Sequence, residues 1–340
     1  GGVPDDPEAW LLTAARRRAI DRGRRDRTRQ MAADVLRRRA EERRDSAFAP
    51  PLPDRRLELL FVCAHPEVPK GIRTPLMLQA VLGLSAERIG SVWLVPPATM
   101  GQRLARAKRK LTGVDGAFEL PAGEELKARL PYVLEAIYPT FSTGWTHTWD
   151  EDLADLGAEA LWLCQLLVRG FPAEPEVLGL SALILFAGAR RLAQRCPSGK
   201  YVPLDEQDPG VWDVEAMEEA ERALHRASRL GGEAGRWPGA YQLEAAIQAA
   251  HCDRRHTGQT DRRLLLKLYR LLVEHHPSVG AYIGYAAACD GAQEAQRGLD
   301  VLDQLPEKQI GNHAPYWAVR GQLLCTLRQV DAARVALRRA

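Results

Sequence analysis

Between Leu82 and Leu111 the chain carries two runs of helical periodicity separated by Pro96 and Pro97, and that punctuation constrains the fold more than any other feature. In the first run Ile89, Val92 and Trp93 recur at i, i+3 and i+4, the spacing of one helix face. Ser85 stands where a hydroxyl caps the first amides of a helix beginning at Ala86. The prolines end that run, because proline lacks an amide donor and keeps the residue before it out of helical conformation. Proline is tolerated in the first turn of a helix, so a second helix begins at Pro97 or Ala98. Its Met100, Leu104, Ala107 and Leu111 form an apolar stripe, and Gln102, Arg103, Arg106, Lys108, Arg109 and Lys110 cover the remaining surface. A basic second helix after a tight turn is the arrangement that enters a DNA major groove. The same pattern also describes a plain helical hairpin with a solvated basic face.

The rest of the chain points to an all-α protein. Leu, Ala and Arg are abundant, aromatics make up 6% of residues, and long alternating Val/Ile/Thr runs are absent. With 340 residues the chain is long enough for two or three domains with real cores. A formal net charge of +3 means that nucleic-acid affinity must come from local basic patches. Six cysteines are scattered without CxxC pairs, which fits reduced, buried thiols, and no apolar run reaches membrane-spanning length. A soluble, cytoplasmic protein with no membrane partner is expected.

At the start, Asp5 or Asp6 can cap a helix with Pro7 in its first turn. Trp10, Leu11, Ala14, Ala15 and Ile20 form its apolar stripe, and Arg16, Arg17, Arg18, Arg22, Arg24 and Arg25 cover the other side. Residues 45–55 are proline-rich and read as a linker. A compact segment follows, with Leu57, Leu60 and Phe61 in a helical stripe. Cys63 and His65 lie two apart without a partner pair, which does not make a metal site.

Leu84, Ser85, Ile89, Thr99, Arg103, Leu104, Arg106, Ala107 and Lys108 stand in step with the pattern L-S-x-x-E-I-A, a spacer, then T-x-x-x-R-L-x-R-A-R/K. On those residues the segment resembles the promoter-reading fourth region of extracytoplasmic-function (ECF) sigma factors. The flanks match too. PEAWLLTAARRRAIDRGR (7–24) looks like the last helix of the second region, and Phe61, Cys63, His65 and Pro66 occupy matching places ahead of the hairpin. The resemblance implies three parts: a remnant of sigma region two over 1–50, a region-four-like helix-turn-helix domain over 51–115, and a tetratricopeptide-like helical domain over 116–340. It implies promoter DNA as a partner, with Gln102, Arg103 and Arg106 at base edges and Arg88, Thr99, Lys108 and Arg109 supporting the backbone contacts. Arg16, Arg17 and Arg22 would face the −10 side. Core RNA polymerase is also implied, although the family's main docking helices lie ahead of the point where this chain begins. Gly90 and Gly101 stand where the family usually has alanine.

After a Gly/Pro-rich connector with one short helix (112–131), Ile137, Tyr138, Phe141 and Gly144 match the opening of the carboxyl-terminal extension of one ECF subgroup. The family's Asn-Glu pair is replaced by Ser142-Thr143, and Trp145, His147 and Trp149 then alternate. A loop of wedged aromatics is one reading. A small-molecule pocket lined by Tyr138, Phe141, Trp145, His147 and Trp149, with His147 and Asp150 as acid/base groups, is the other. Helices are expected over 152–169, 174–195, 213–230, 240–254, 261–276, 279–304 and 314–339. Trp317, Gly321, Leu324, Ala333, Leu337 and Ala340 fall at tetratricopeptide positions, and Tyr282 precedes Trp317 by 35 residues. His251, Cys252 and His256 do not share a helix face, so no metal is expected there, and no cofactor motif occurs anywhere in the chain. The leading expectation is a non-enzymatic, sigma-like transcription initiation protein that binds promoter DNA and is regulated by its C-terminal helical domain, which is open to a small-molecule or protein ligand. Its alternative is a sigma scaffold turned to ligand binding or catalysis.

Overall fold

A computed structural model describes residues 54–93, 95–114, 116–146, 151–196, 199–306, 310–311 and 313–340. Among the described residues there is no strand beyond one isolated antiparallel bridge between Arg195 and Tyr201, so the all-α expectation holds. No described helix is long and apolar enough to cross a membrane. The chain divides into two compact units between Gly170 and Phe171.

The first unit contains α1 (Arg55–Cys63), α2 (Lys70–Leu82), α3 (Ala86–Val92), α4 (Pro97–Thr112), α5 (Gly123–Thr146) and α6 (Glu151–Gly170). Asp54 starts α1 by accepting the Arg56 amide at 2.6 Å. Leu57, Phe61, Leu76, Met77, Ile89, Met100, Leu104, Val133 and Ile137 make its core, each at most 2% exposed. The sequence-based boundary near residue 115 differs from the division at 170 because α5 and α6 pack onto α1 and α2. Two buried arginines, Arg129 and Arg73, and the half-buried Arg56 fasten that junction. Arg129 of α5 donates to the Phe61 carbonyl at 3.0 Å and pairs with Glu125. Arg73 donates to the carbonyls of Val68 (2.8 Å) and Pro66 (3.0 Å) and lies 4.2 Å over the Tyr132 ring. Arg56 pairs with Glu159 and lies 3.7 Å over Trp162.

The expected short helix before 131 is instead the first part of α5, which runs without a break through Pro131 and Pro139 to Thr146. The aromatic segment therefore starts on a helix rather than in a loop. Just after Pro139, the Thr140 hydroxyl turns back onto the Ala136 carbonyl at 2.7 Å.

In the second unit, α7 (Pro175–Ala189) is buried on nearly every side and packs between α8 (Val214–Glu233) and α9 (Ala240–Cys252). Its Glu176 carboxylate caps α9 from 65 residues away, accepting the amides of Tyr241 (3.1 Å) and Gln242 (3.2 Å). Gly239 makes room for it, since a Cβ there would lie 2.1 Å from that carboxyl carbon. A short α10 (Arg254–Thr257) precedes α11 (Arg262–His275), which Asp261 caps.

Two expected long helices are each a helical hairpin. The span 279–304 splits into α12 (Val279–Gly291) and α13 (Ala295–Leu302), and 314–339 splits into α14 (Ala314–Thr326) and α15 (Val330–Leu337). The breaks fall at Gln293 (φ 66°) and Arg328 (φ 60°), left-handed residues that are not themselves glycine. Each boundary of the second hairpin lies 35 residues after its counterpart: Val279 and Ala314, Gly291 and Thr326, Ala295 and Val330, Leu302 and Leu337. Close crossings use glycine in both. A Cβ on Gly298 would lie 2.9 Å from the Ala286 carbonyl oxygen, and one on Gly321 would lie 2.6 Å from the Leu337 side chain.

Candidate nucleic-acid interface

The hairpin α3–α4 begins on Ser85, whose Oγ accepts the Arg88 amide at 3.2 Å. Ile89 is fully buried below it. The turn closes when the Val95 amide donates to the Gly90 carbonyl at 2.8 Å. A Cβ on Gly90 would sit 2.6 Å from the Val95 carbonyl oxygen, so the backbone folds back onto a position where only glycine fits without displacement. Helix α4 then buries Met100, Leu104, Ala107 and Leu111, the expected stripe.

With that stripe held inside, the remaining faces of α4 are fixed. Thr99, Gln102, Arg103, Arg106 and Lys110 recur at i, i+3, i+4, i+7 and i+11 and so form one lane along the helix. Gln102, Arg103, Arg106, Lys108 and Arg109 are exposed, while Thr99 and Arg88 are partly buried. The helix holds five cationic side chains and no acidic one. Arg109 and Lys110, in the last turn, interact favourably with the negative end of the helix dipole. Lys110 also pairs with Glu67 at 2.9 Å, and the ammonium holds that carboxyl below its usual range. Arg103 and Arg106 sit mid-helix, where the dipole offers nothing.

His65, beside the hairpin's support, is a loop lock. Its Nδ1 accepts the Glu67 amide at 3.1 Å, and burial with Arg129 nearby pushes its pKa down, which favours the neutral ring. Burial pushes the Cys63 thiol up to about 12. Among the described residues no three His, Cys, Asp or Glu side chains converge as a metal site.

Of the expected pocket residues, Tyr138 is half-buried and Phe141 is buried on the α5 face that carries Val133 and Ile137. Trp145 falls in α5, with its side chain outside the described set, and His147, Trp149 and Asp150 lie outside the described residues. Arg16, Arg17 and Arg22 lie outside them as well. A cavity of about 250 Å³ opens in the second unit, where His251, Arg262 and Tyr269 converge. Sequence reasoning missed it because its walls come from residues spread between Pro203 and Gly291.

Fold and site together define an all-α protein with a basic helical hairpin in one unit and paired helices in the other. The chain is 34% identical over 349 residues to "Uncharacterized protein R00370" of Rhizobium meliloti (strain 1021), spanning 100% of this chain and 80% of that one, and it belongs to the family of that protein. Residues 129–228 match the model of a family of unknown function (DUF6596). No solved structure matches the chain.

Proposed function

We propose that this protein binds duplex DNA through α4 and acts as a sigma-factor-like protein in transcription initiation. The observation that carries the reading is the α4 lane: Gln102, Arg103 and Arg106 exposed side by side on a helix without an acidic residue. In this reading Arg103 and Arg106 take guanine edges, Gln102 takes adenine, and Arg88, Lys108 and Arg109 take phosphates. The residue-by-residue resemblance to the fourth region of ECF sigma factors supports the same assignment. The two hairpins spaced by 35 residues support a tetratricopeptide-like second unit, and the resemblance to the ECF subgroup supports a regulatory role for it.

Promoter-type duplex is the proposed nucleic acid and core RNA polymerase the proposed protein partner. The test is duplex binding by the full chain at low salt, comparing the native protein with the double variant Arg103→Ala, Arg106→Ala. At about 1–3 kcal/mol per base-edge pair, the double variant weakens binding to the preferred duplex by at least tenfold. Equal affinity for both proteins rules the assignment out, and co-purification with core polymerase tests the partner.

A further inference from the structure

The last cation of the α4 lane is treated differently from the others. Among the described residues Lys110 is the only α4 cation with a carboxylate partner, its Nζ lying 2.9 Å from Glu67 Oε2. Arg109 stands beside it in the same turn without one, although the helix dipole favours both. The end of the helix therefore does not by itself call for the carboxylate. What separates the two residues is register: Lys110 continues the lane of Gln102, Arg103 and Arg106, about 6 Å along the axis beyond Arg106.

The carboxylate is delivered by a braced turn between α1 and α2. The Glu67 amide donates to His65 Nδ1 at 3.1 Å, and the Val68 amide donates to the His65 carbonyl at 3.0 Å. Buried Arg73 donates to the carbonyls on either side of Glu67, Pro66 at 3.0 Å and Val68 at 2.8 Å. Val68 itself is fully buried. Exposed ion pairs are weak in part because two long side chains must be ordered to make them. Here the backbone beneath one partner is already fixed, so the carboxylate is in place before any ligand arrives. Its hydrogen bond to Lys110 holds the Glu67 carboxyl below the usual range, which keeps it ionised at neutral pH. Both side chains remain about half exposed, open to the solvent through which a duplex approaches.

We infer that Glu67 occupies on Lys110 the place of a DNA phosphate, so that the contact lane of α4 stops at Arg106 and its last cation is withheld from the duplex. This rests on the reading of α4 as the DNA-binding helix and adds a residue that limits the affinity of that site. A carboxylate and a phosphodiester compete for the same ammonium, and the carboxylate also repels a phosphate that comes near it.

The test is fluorescence anisotropy of the full chain on duplex DNA across a salt series, with Glu67→Gln, Lys110→Ala and the double variant beside the native protein. Glu67→Gln keeps the amide that His65 accepts and frees Lys110 for one more phosphate. It should steepen the fall of log K against log salt by about 0.9 and tighten binding by about threefold at about 50 mM salt. In the Lys110→Ala background the same substitution should leave the slope unchanged. The inference is overturned if Glu67→Gln leaves the native slope as it was. It is also overturned if Glu67→Gln steepens the slope equally with and without Lys110, since Glu67 would then act only as a nearby charge. In both cases duplex binding by the native chain persists, so the DNA reading stands. Absence of duplex binding by native protein and Glu67→Gln alike overturns both.

Discussion

Gly90 and Gly101 stand eleven residues apart in the same hairpin, and the structure assigns them opposite responses to alanine. At Gly101 the new Cβ would meet only the Ala86 Cβ, at 3.8 Å, an ordinary contact. Replacing a mid-helix glycine with alanine then stabilises α4 by about 1 kcal/mol. At Gly90 the Cβ would meet the Val95 carbonyl oxygen at 2.6 Å, and backbone at both ends of that contact gives no flexible way out. Displacement of that kind costs about 1–3 kcal/mol. Loss of the 2.8 Å Val95-to-Gly90 hydrogen bond adds about 1 kcal/mol. The helix gain of about 1 kcal/mol offsets part of this, leaving Gly90→Ala destabilising by about 1–3 kcal/mol. The two variants should therefore differ by about 2–4 kcal/mol. Native-state hydrogen exchange on peptides covering Ala86–Thr112 reads the difference locally, free of contributions from the second unit. Gly101→Ala slows exchange there and Gly90→Ala speeds it. Equal shifts in the same direction would refute the close-approach account of the turn.

Three further outcomes follow from individual contacts. Glu176→Ala removes the distant cap of α9 and should lower the stability of the second unit by about 1–2 kcal/mol in urea unfolding, whereas an equal midpoint for both proteins contradicts the capping role. His251 has a folded-state pKa of about 4 against an ordinary value of 6.5, so the unfolded chain takes up its proton first as pH falls. Stability contributed by the neutral ring is thus complete above about 6.5 and is lost as pH drops toward 4, by up to about 1.4 kcal/mol per pH unit; His251→Asn should flatten that part of the pH–stability profile. Buried Cys63, its thiol raised to about 12, stays unreactive toward a disulfide reagent at pH 8 in the native state, while exposed Cys325 reacts at once.

What the sequence made legible was local. Ser85 caps the helix that follows, and the Met100–Leu111 stripe is buried as its spacing requires. The breaks at Gln293 and Arg328 escaped because left-handed positions are usually marked by glycine or asparagine, and these residues carry no such mark. The continuation of α5 through two prolines escaped for a related reason: proline lowers helix preference, and packing against α1 and α2 overrides it. Gly90 could be noticed as unusual but not explained, since the atom that excludes a side chain belongs to Val95 across the turn. The Glu176 cap and the cavity at His251 and Arg262 depend on contacts far apart in the chain, and no spacing rule reaches that distance.

The claim that α4 engages duplex DNA is tested most directly by the salt dependence of binding, measured by fluorescence anisotropy on the full chain. With Arg88, Lys108 and Arg109 on phosphates, log K should fall against log salt with a slope of about −3. Lys108→Ala with Arg109→Ala should bring that slope to about −1. A slope near zero in the native protein, or one that the double variant leaves unchanged, would contradict the account.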